Sequence, residues 1–157
     1  MIYYDYSILK IKKQAEGYSD NMKKIDANFT KLPDSELKVM QIIWDMYKQK
    51  KEVDAGSMIE EYPNVIGHLK LTTVLTLISR LNEKGFIRSE KQGRINYYIP
   101  LVAEDQYKNA AAAEFVENVY KSSPISLMSA LFDIGVIKKE DIDEFRKQIL
   151  EKNNDIN

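Results

Sequence analysis

Apolar residues recur at helical spacing along most of this chain, and the clearest run lies at 71–83. Val74, Leu77, Ile78 and Leu81 stand at i, i+3, i+4 and i+7, which lines them into one stripe of a helix. Thr72 or Thr73 is expected to cap that helix, because a threonine oxygen accepts from an unpaired first-turn N–H. Gly85, just past Lys84, is expected to end it. The period then changes from helical to two. Residues 86–91 and 94–99 read as strands, with Ile95, Tyr97 and Ile99 alternating inward and Gln92-Gly93 as the turn.

Upstream, Leu32-Pro33-Asp34-Ser35-Glu36 opens another helix, with Asp34 or Ser35 as its cap and acid in the first turn. Leu37, Met40, Ile43, Trp44 and Tyr47 give that helix a broad apolar face, so Trp44 is read as a core anchor. Asp54 caps a shorter helix with Met58, Ile59 and Tyr62 inward, and Pro63-Asn64 stops it. A loop at 65–71 follows. Downstream, 100–103 is a junction to three helical segments. The first is rich in alanine and carries Tyr107, Ala111, Phe115, Val116, Val119 and Tyr120. Ser122-Ser123-Pro124 breaks it. The second places Leu127, Met128, Leu131, Phe132 and Ile134 in a short span, and the third carries Ile142, Phe145, Ile149 and Leu150 behind an acidic start. These segments hold more apolar surface than they can cover alone, which implies a two-fold dimer, the alternative being a tail that folds back on the domain before it.

The polar side of the central helix is short and hydroxyl-rich. Thr72, Thr76, Ser79 and Glu83 oppose the stripe, with Thr73 and Arg80 on one flank and Leu75 on the other. Hydroxyls and arginine can meet phosphates or base edges, and methyl groups can meet thymine. Lys70 precedes the helix, and Lys91 and Arg94 flank the hairpin tip. A helix followed at once by a hairpin with a basic tip is the layout of a winged helix-turn-helix, in which the second helix of the pair enters the major groove.

Net charge is −1, which at first argues against a polyanionic partner. Its distribution reverses that. Residues 64–101 carry Lys70, Arg80, Lys84, Arg88, Lys91 and Arg94 against Glu83 and Glu90, while 1–63 is near neutral and 102–157 is acidic. The absence of cysteine removes disulfides, thiolate metal sites and a cysteine nucleophile, and fits a cytoplasmic protein. His68 has no second histidine or cysteine with which to share a metal. The glycines form no phosphate-cradling loop and no serine stands in a nucleophile elbow, so neither catalytic residues nor cofactors are expected. Asp141, Asp143 and Glu144 read as acids at a helix start. No apolar run reaches membrane-span length, and 1–13 lacks the pattern of a signal peptide.

Residues 1–31 are weakly patterned, with a short strand conceivable at 3–11. Met22 is read as the initiator, with 1–21 as translated leader; the competing reading is an arm that packs on the domain or contacts DNA.

LPDSELKVMQIIW, LTTVLTLISRLNEKGFI, GRINYYIPL and DEFRKQIL together resemble the penicillinase repressor family, winged-helix repressors of β-lactamase and methicillin-resistance genes. The resemblance runs over about 32–150. It implies homodimers that bind inverted-repeat operators through the winged domain and pair through the C-terminal helices. By position it places Thr72, Thr73, Leu75 and Thr76 facing bases, Arg80 at the conserved-looking RL step, and Gly93-Arg94 at the wing. Better-known members carry a basic residue where this chain has Leu75. Inducible members lose repression when a membrane sensor leads to cleavage in the dimerisation region. That bond aligns near Ala130–Leu131, without the Asn-Phe pair of those members. Copper-responsive members use cysteines, which this chain lacks.

The expectation is therefore a mostly α protein with a small β-hairpin wing: an extension at 1–31, a winged helix DNA-binding domain at 32–101 and a helical dimerisation region at 102–157. Operator contacts fall to Lys70, Thr72, Thr73, Leu75, Thr76, Arg80, Lys91, Gly93 and Arg94. Dimer contacts fall to Tyr107, Phe115, Val119, Leu127, Leu131, Ile142, Phe145 and Ile149. The partners are an operator duplex, a second copy and a sensor or protease that relieves repression. The rival readings are a small-molecule sensor lined by Tyr107, Phe115 and Tyr120, and a protein–protein module.

Overall fold

The computed structural model describes residues 30–121 and 123–154. The strand expected at 3–11 and the start at Met22 lie outside the described residues. In chain order the elements are α1 (Asp34–Lys48), α2 (Ala55–Glu61), α3 (Pro63–Ile66), α4 (Leu71–Glu83), β1 (Ile87–Gln92), β2 (Ile95–Pro100), α5 (Glu104–Val119), α6 (Pro124–Asp133) and α7 (Lys139–Asn154). The chain divides into two compact units within α5, between Ala111 and Ala112.

The first unit is a winged helix-turn-helix. Helix α1 packs on α4 and β2, and α2 packs on α4. The stripe Val74, Leu77, Ile78 and Leu81 is buried, together with Met40, Ile43 and Trp44 of α1 and Met58 of α2. Val39, Ile42 and Met46 are buried as well, whereas Tyr47, expected on the inner face, is exposed. Asp54 caps α2 by accepting from the N–H groups of Gly56 and Ser57. Two other expected caps are corrected. Pro33 takes the cap position of α1, so Asp34 and Ser35 already lie in its first turn and no side chain caps it. Lys70 takes that position in α4, because its carbonyl accepts from the N–H of Val74, and Thr72 and Thr73 are inside the helix. The expected loop after α2 begins with the short helix α3, which Pro63 opens at a position needing no N–H. Pro124 likewise opens α6, with Ser123 as its cap.

Gly85, at φ +76°, ends α4 in a left-handed conformation that costs glycine little. The amide of Phe86 reaches back to the Leu81 carbonyl and that of Gly85 to Asn82, the two bonds of a Schellman end. Helix α1 ends the same way with Lys50 at φ +59°.

In the hairpin, Gln92 pairs with Ile95, so the turn is Gly93-Arg94 instead of Gln92-Gly93. Gly93, at φ +63°, supplies the first turn position. The inward face is correspondingly shifted by one residue. Tyr98 and Ile87 are buried, while Ile95 is exposed and Tyr97 and Ile99 lie on the opposite face. The Tyr98 amide donates to the Val53 carbonyl, which ties the wing to the chain before α2. Desolvation, with Asp54 nearby, pushes the Tyr98 phenol up.

The start of α5 completes the first core. Tyr107 packs against Trp44 and Phe86 at centroid distances of 5.6 and 5.9 Å. Its hydroxyl accepts from the Leu32 amide at 3.1 Å, and the Trp44 indole N–H donates to the Val102 carbonyl at 2.7 Å. Glu104 holds both Lys48 and Lys108, and hydrogen bonds from those two ammonium groups lower its carboxyl pKa.

The second unit is helical and thinly buried. No residue of α6 is buried, and Phe115 meets Tyr120 at 5.7 Å. Phe132, Ile134, Val136, Phe145, Ile149 and Leu150 are exposed in the protomer.

Candidate nucleic-acid interface

Helix α4 turns one face to the core and leaves the other bare. Thr72, Thr73, Leu75, Thr76, Ser79 and Arg80 are all exposed. The Thr76 hydroxyl donates to the Thr72 carbonyl at 2.8 Å, and Ser79 donates to Glu83 at 3.0 Å. Those two hydroxyls therefore face outward only as acceptors, their protons being already committed. Lys70 stands at the start of the helix, where no side chain caps the first-turn N–H groups. Unpaired N–H groups beside an ammonium suit a phosphate.

The hairpin adds the second part. Helix α4 packs against β1, so the wing is braced on the same helix. Lys91 lies near the end of β1, and Gly93 and Arg94 form the turn itself, all exposed. The positive φ at Gly93 matters here because it closes a two-residue turn and leaves Arg94 at its tip.

The ion pairs sort the six cations of 64–101. Lys84 is held by Glu36 at 2.5 Å and Arg88 by Glu90 at 2.9 Å. Lys70, Arg80, Lys91 and Arg94 make no ion pair with any described residue. The cations singled out from the sequence are thus the ones left available on α4 and the wing, while the other two are neutralised within the fold.

Glu36 was missed as anything beyond a first-turn acid. It is the one buried charged residue among those described, and its Lys84 partner sits at the end of α4. The sequence held a signal: Glu36, Met40 and Ile43 share helical spacing with the buried stripe of α1. The Glu36–Lys84 pair thus joins the C-terminal end of α4 to the first turn of α1.

Of the expected dimer residues, Phe115, Val119, Ile142, Phe145 and Ile149 are exposed and Leu127 and Leu131 half-buried. Tyr107 is instead buried in the first unit. Among the described residues no group of acidic, histidine or cysteine side chains could hold a metal ion, and no helix is long and apolar enough to cross a membrane.

The profile of a family described as penicillinase repressor matches residues 32–151. The methicillin resistance regulatory protein MecI of Staphylococcus aureus (strain N315) is 31% identical over 128 residues, spanning 82% of this chain and all of MecI. The penicillinase repressor of Bacillus licheniformis is 28% identical over 131 residues, spanning 83% of this chain and 94% of that protein. A solution structure of monomeric Bacillus licheniformis BlaI in complex with the blaP half-operator is 27% identical. It covers 50% of this chain and 89% of that one, with a TM-score of 0.39.

Proposed function

The chain belongs to the penicillinase repressor family, and as a transcriptional repressor, not an enzyme, we propose that it works as a homodimer on an inverted-repeat operator. In each protomer α4 enters the major groove and the β1–β2 wing rests on the neighbouring backbone. One observation carries this reading: four cations with no ion pair to any described residue, Lys70, Arg80, Lys91 and Arg94, stand on the bare side of α4 and on the wing packed against it. They hold phosphates, while Thr72, Thr73, Leu75 and Thr76 face bases.

The exposed apolar residues of α5, α6 and α7 support pairing through a second copy, which covers what one protomer leaves in water. A protein bound to operator DNA works in the cytoplasm. Relief of repression by a sensor or protease is compatible with the fold only after local opening. The Ala130–Leu131 bond lies inside α6, and a peptide bond in a helix reaches a protease when that helix frays.

The test is a binding titration of the full chain against the DNA upstream of its own gene and of nearby resistance genes, with scrambled duplexes of equal length. Preference for one of the natural duplexes, weakening steeply with salt, supports the proposal. Equal binding to all of them at every salt concentration overturns it.

A further inference from the structure

We infer that Leu71 and Leu75 make the bare face of α4 a reader of thymine methyl groups, so that the operator half-site carries thymines where these leucines land. The inference rests on the DNA-binding reading above. Leu71 is 50% exposed and Leu75 40%, while the four apolar residues that α4 gives to the core are all at 5% or less. The fold therefore leaves about half of each leucine in water, unlike the core stripe. They stand one turn apart and form an apolar edge on the flank opposite Thr73 and Arg80.

The surrounding chemistry narrows what that edge can meet. The protons of Thr76 and Ser79 are committed within the helix, which leaves the hydroxyls of Thr72 and Thr73 as the donors of this face and none beside the leucine flank. Lys70 and Arg80 lie close by in sequence, make no ion pair with any described residue, and suit the phosphates on either side. In the major groove each base pair presents donors and acceptors, and the thymine C5-methyl is the apolar group among them. A leucine seated on that methyl buries apolar surface. The same leucine over cytosine or guanine strands a polar group away from water. Residues four apart are separated by about 6 Å along a helix axis, so Leu71 and Leu75 suit two thymines on different, nearby base pairs.

The experiment starts from duplexes selected from a random pool by the full chain. Each thymine of the selected half-site is replaced singly by uracil, which removes the methyl and keeps the Watson–Crick edge, and Kd is measured at one salt concentration. We expect a loss of about fourfold at each of two thymines, as befits one methyl, and little change at the others. Leu71→Ala and Leu75→Ala should each abolish the uracil penalty at one position. Both sites are exposed and alanine favours helix, so the fold should persist. If uracil duplexes bind as tightly as thymine duplexes while selected DNA still outcompetes scrambled DNA, the methyl inference falls and the repressor reading stands. If no sequence outcompetes another, the DNA-binding reading fails and takes this inference with it.

Discussion

The Glu36–Lys84 pair gives the sharpest stability prediction. The Glu36 side chain is 3% exposed and Lys84 32%, with 2.5 Å between carboxylate and ammonium. Lys84→Met removes the cation and leaves a carboxylate in the core of the first unit. Stripping one partner from a fully buried pair costs about 3–5 kcal/mol. Water reaches this pair from the lysine side, which places the cost nearer 2–3 kcal/mol. With a urea m-value of about 1.5 kcal/mol/M, the unfolding midpoint should fall by about 1.3–2 M at fixed protomer concentration. Glu36→Leu combined with Lys84→Met should recover most of that loss, since an apolar pair carries no desolvation penalty. The double variant separates a stranded charge from lost packing. A Lys84→Met midpoint equivalent to less than about 0.5 kcal/mol from the parent would refute the reasoning, because solvent would then be satisfying the carboxylate.

Other consequences are equally open to measurement. Arg94→Ala should weaken natural and scrambled duplexes alike and flatten the slope of log K against log salt by about 0.9 per lost phosphate contact; a loss confined to one sequence would assign Arg94 to a base. Lys50→Gly should raise stability by about 1 kcal/mol in urea unfolding, because Lys50 sits at φ +59° in a Schellman end where glycine fits without strain. Phe145→Asp places charge on an exposed residue of α7, so each protomer should keep its helical circular dichroism while sedimentation shifts from dimer to monomer. The Tyr62 hydroxyl donates to Asp45, and that bond pushes its pKa up to about 12. Its contribution to stability is therefore complete below the ordinary tyrosine range near 10 and lost as pH rises through about 12. Alkaline titration should show late tyrosinate components from Tyr62 and Tyr98, of which Tyr62→Phe removes the former.

What the sequence disclosed follows from which features are local. The stripe of α4, the Asp54 cap and the Gly85 stop are set by residues within one turn of each other, and the folded chain keeps all three. The expected caps at Thr72, Thr73, Asp34 and Ser35 were displaced because each helix starts a residue or more earlier, on Lys70 and Pro33. The hairpin shows how one residue changes a face: with Gly93 as the first turn position, Tyr98 turns inward in place of Tyr97. Contacts between distant residues were not legible. Tyr107 closes the first core through an amide 75 residues away, and no spacing announces that. On the candidate interface, residue type singled out the cations, while their freedom from ion pairs and the committed protons of Thr76 and Ser79 needed coordinates.

Two protomers that present α4 and the wing to a two-fold operator should bind it as a pair. Analytical ultracentrifugation of the full chain with a labelled duplex that it selects from a random pool reads that stoichiometry. Two protomers on each duplex, in a complex that a scrambled duplex does not form at the same salt, are expected. One protomer per duplex, or identical complexes on both DNAs, would contradict that pairing.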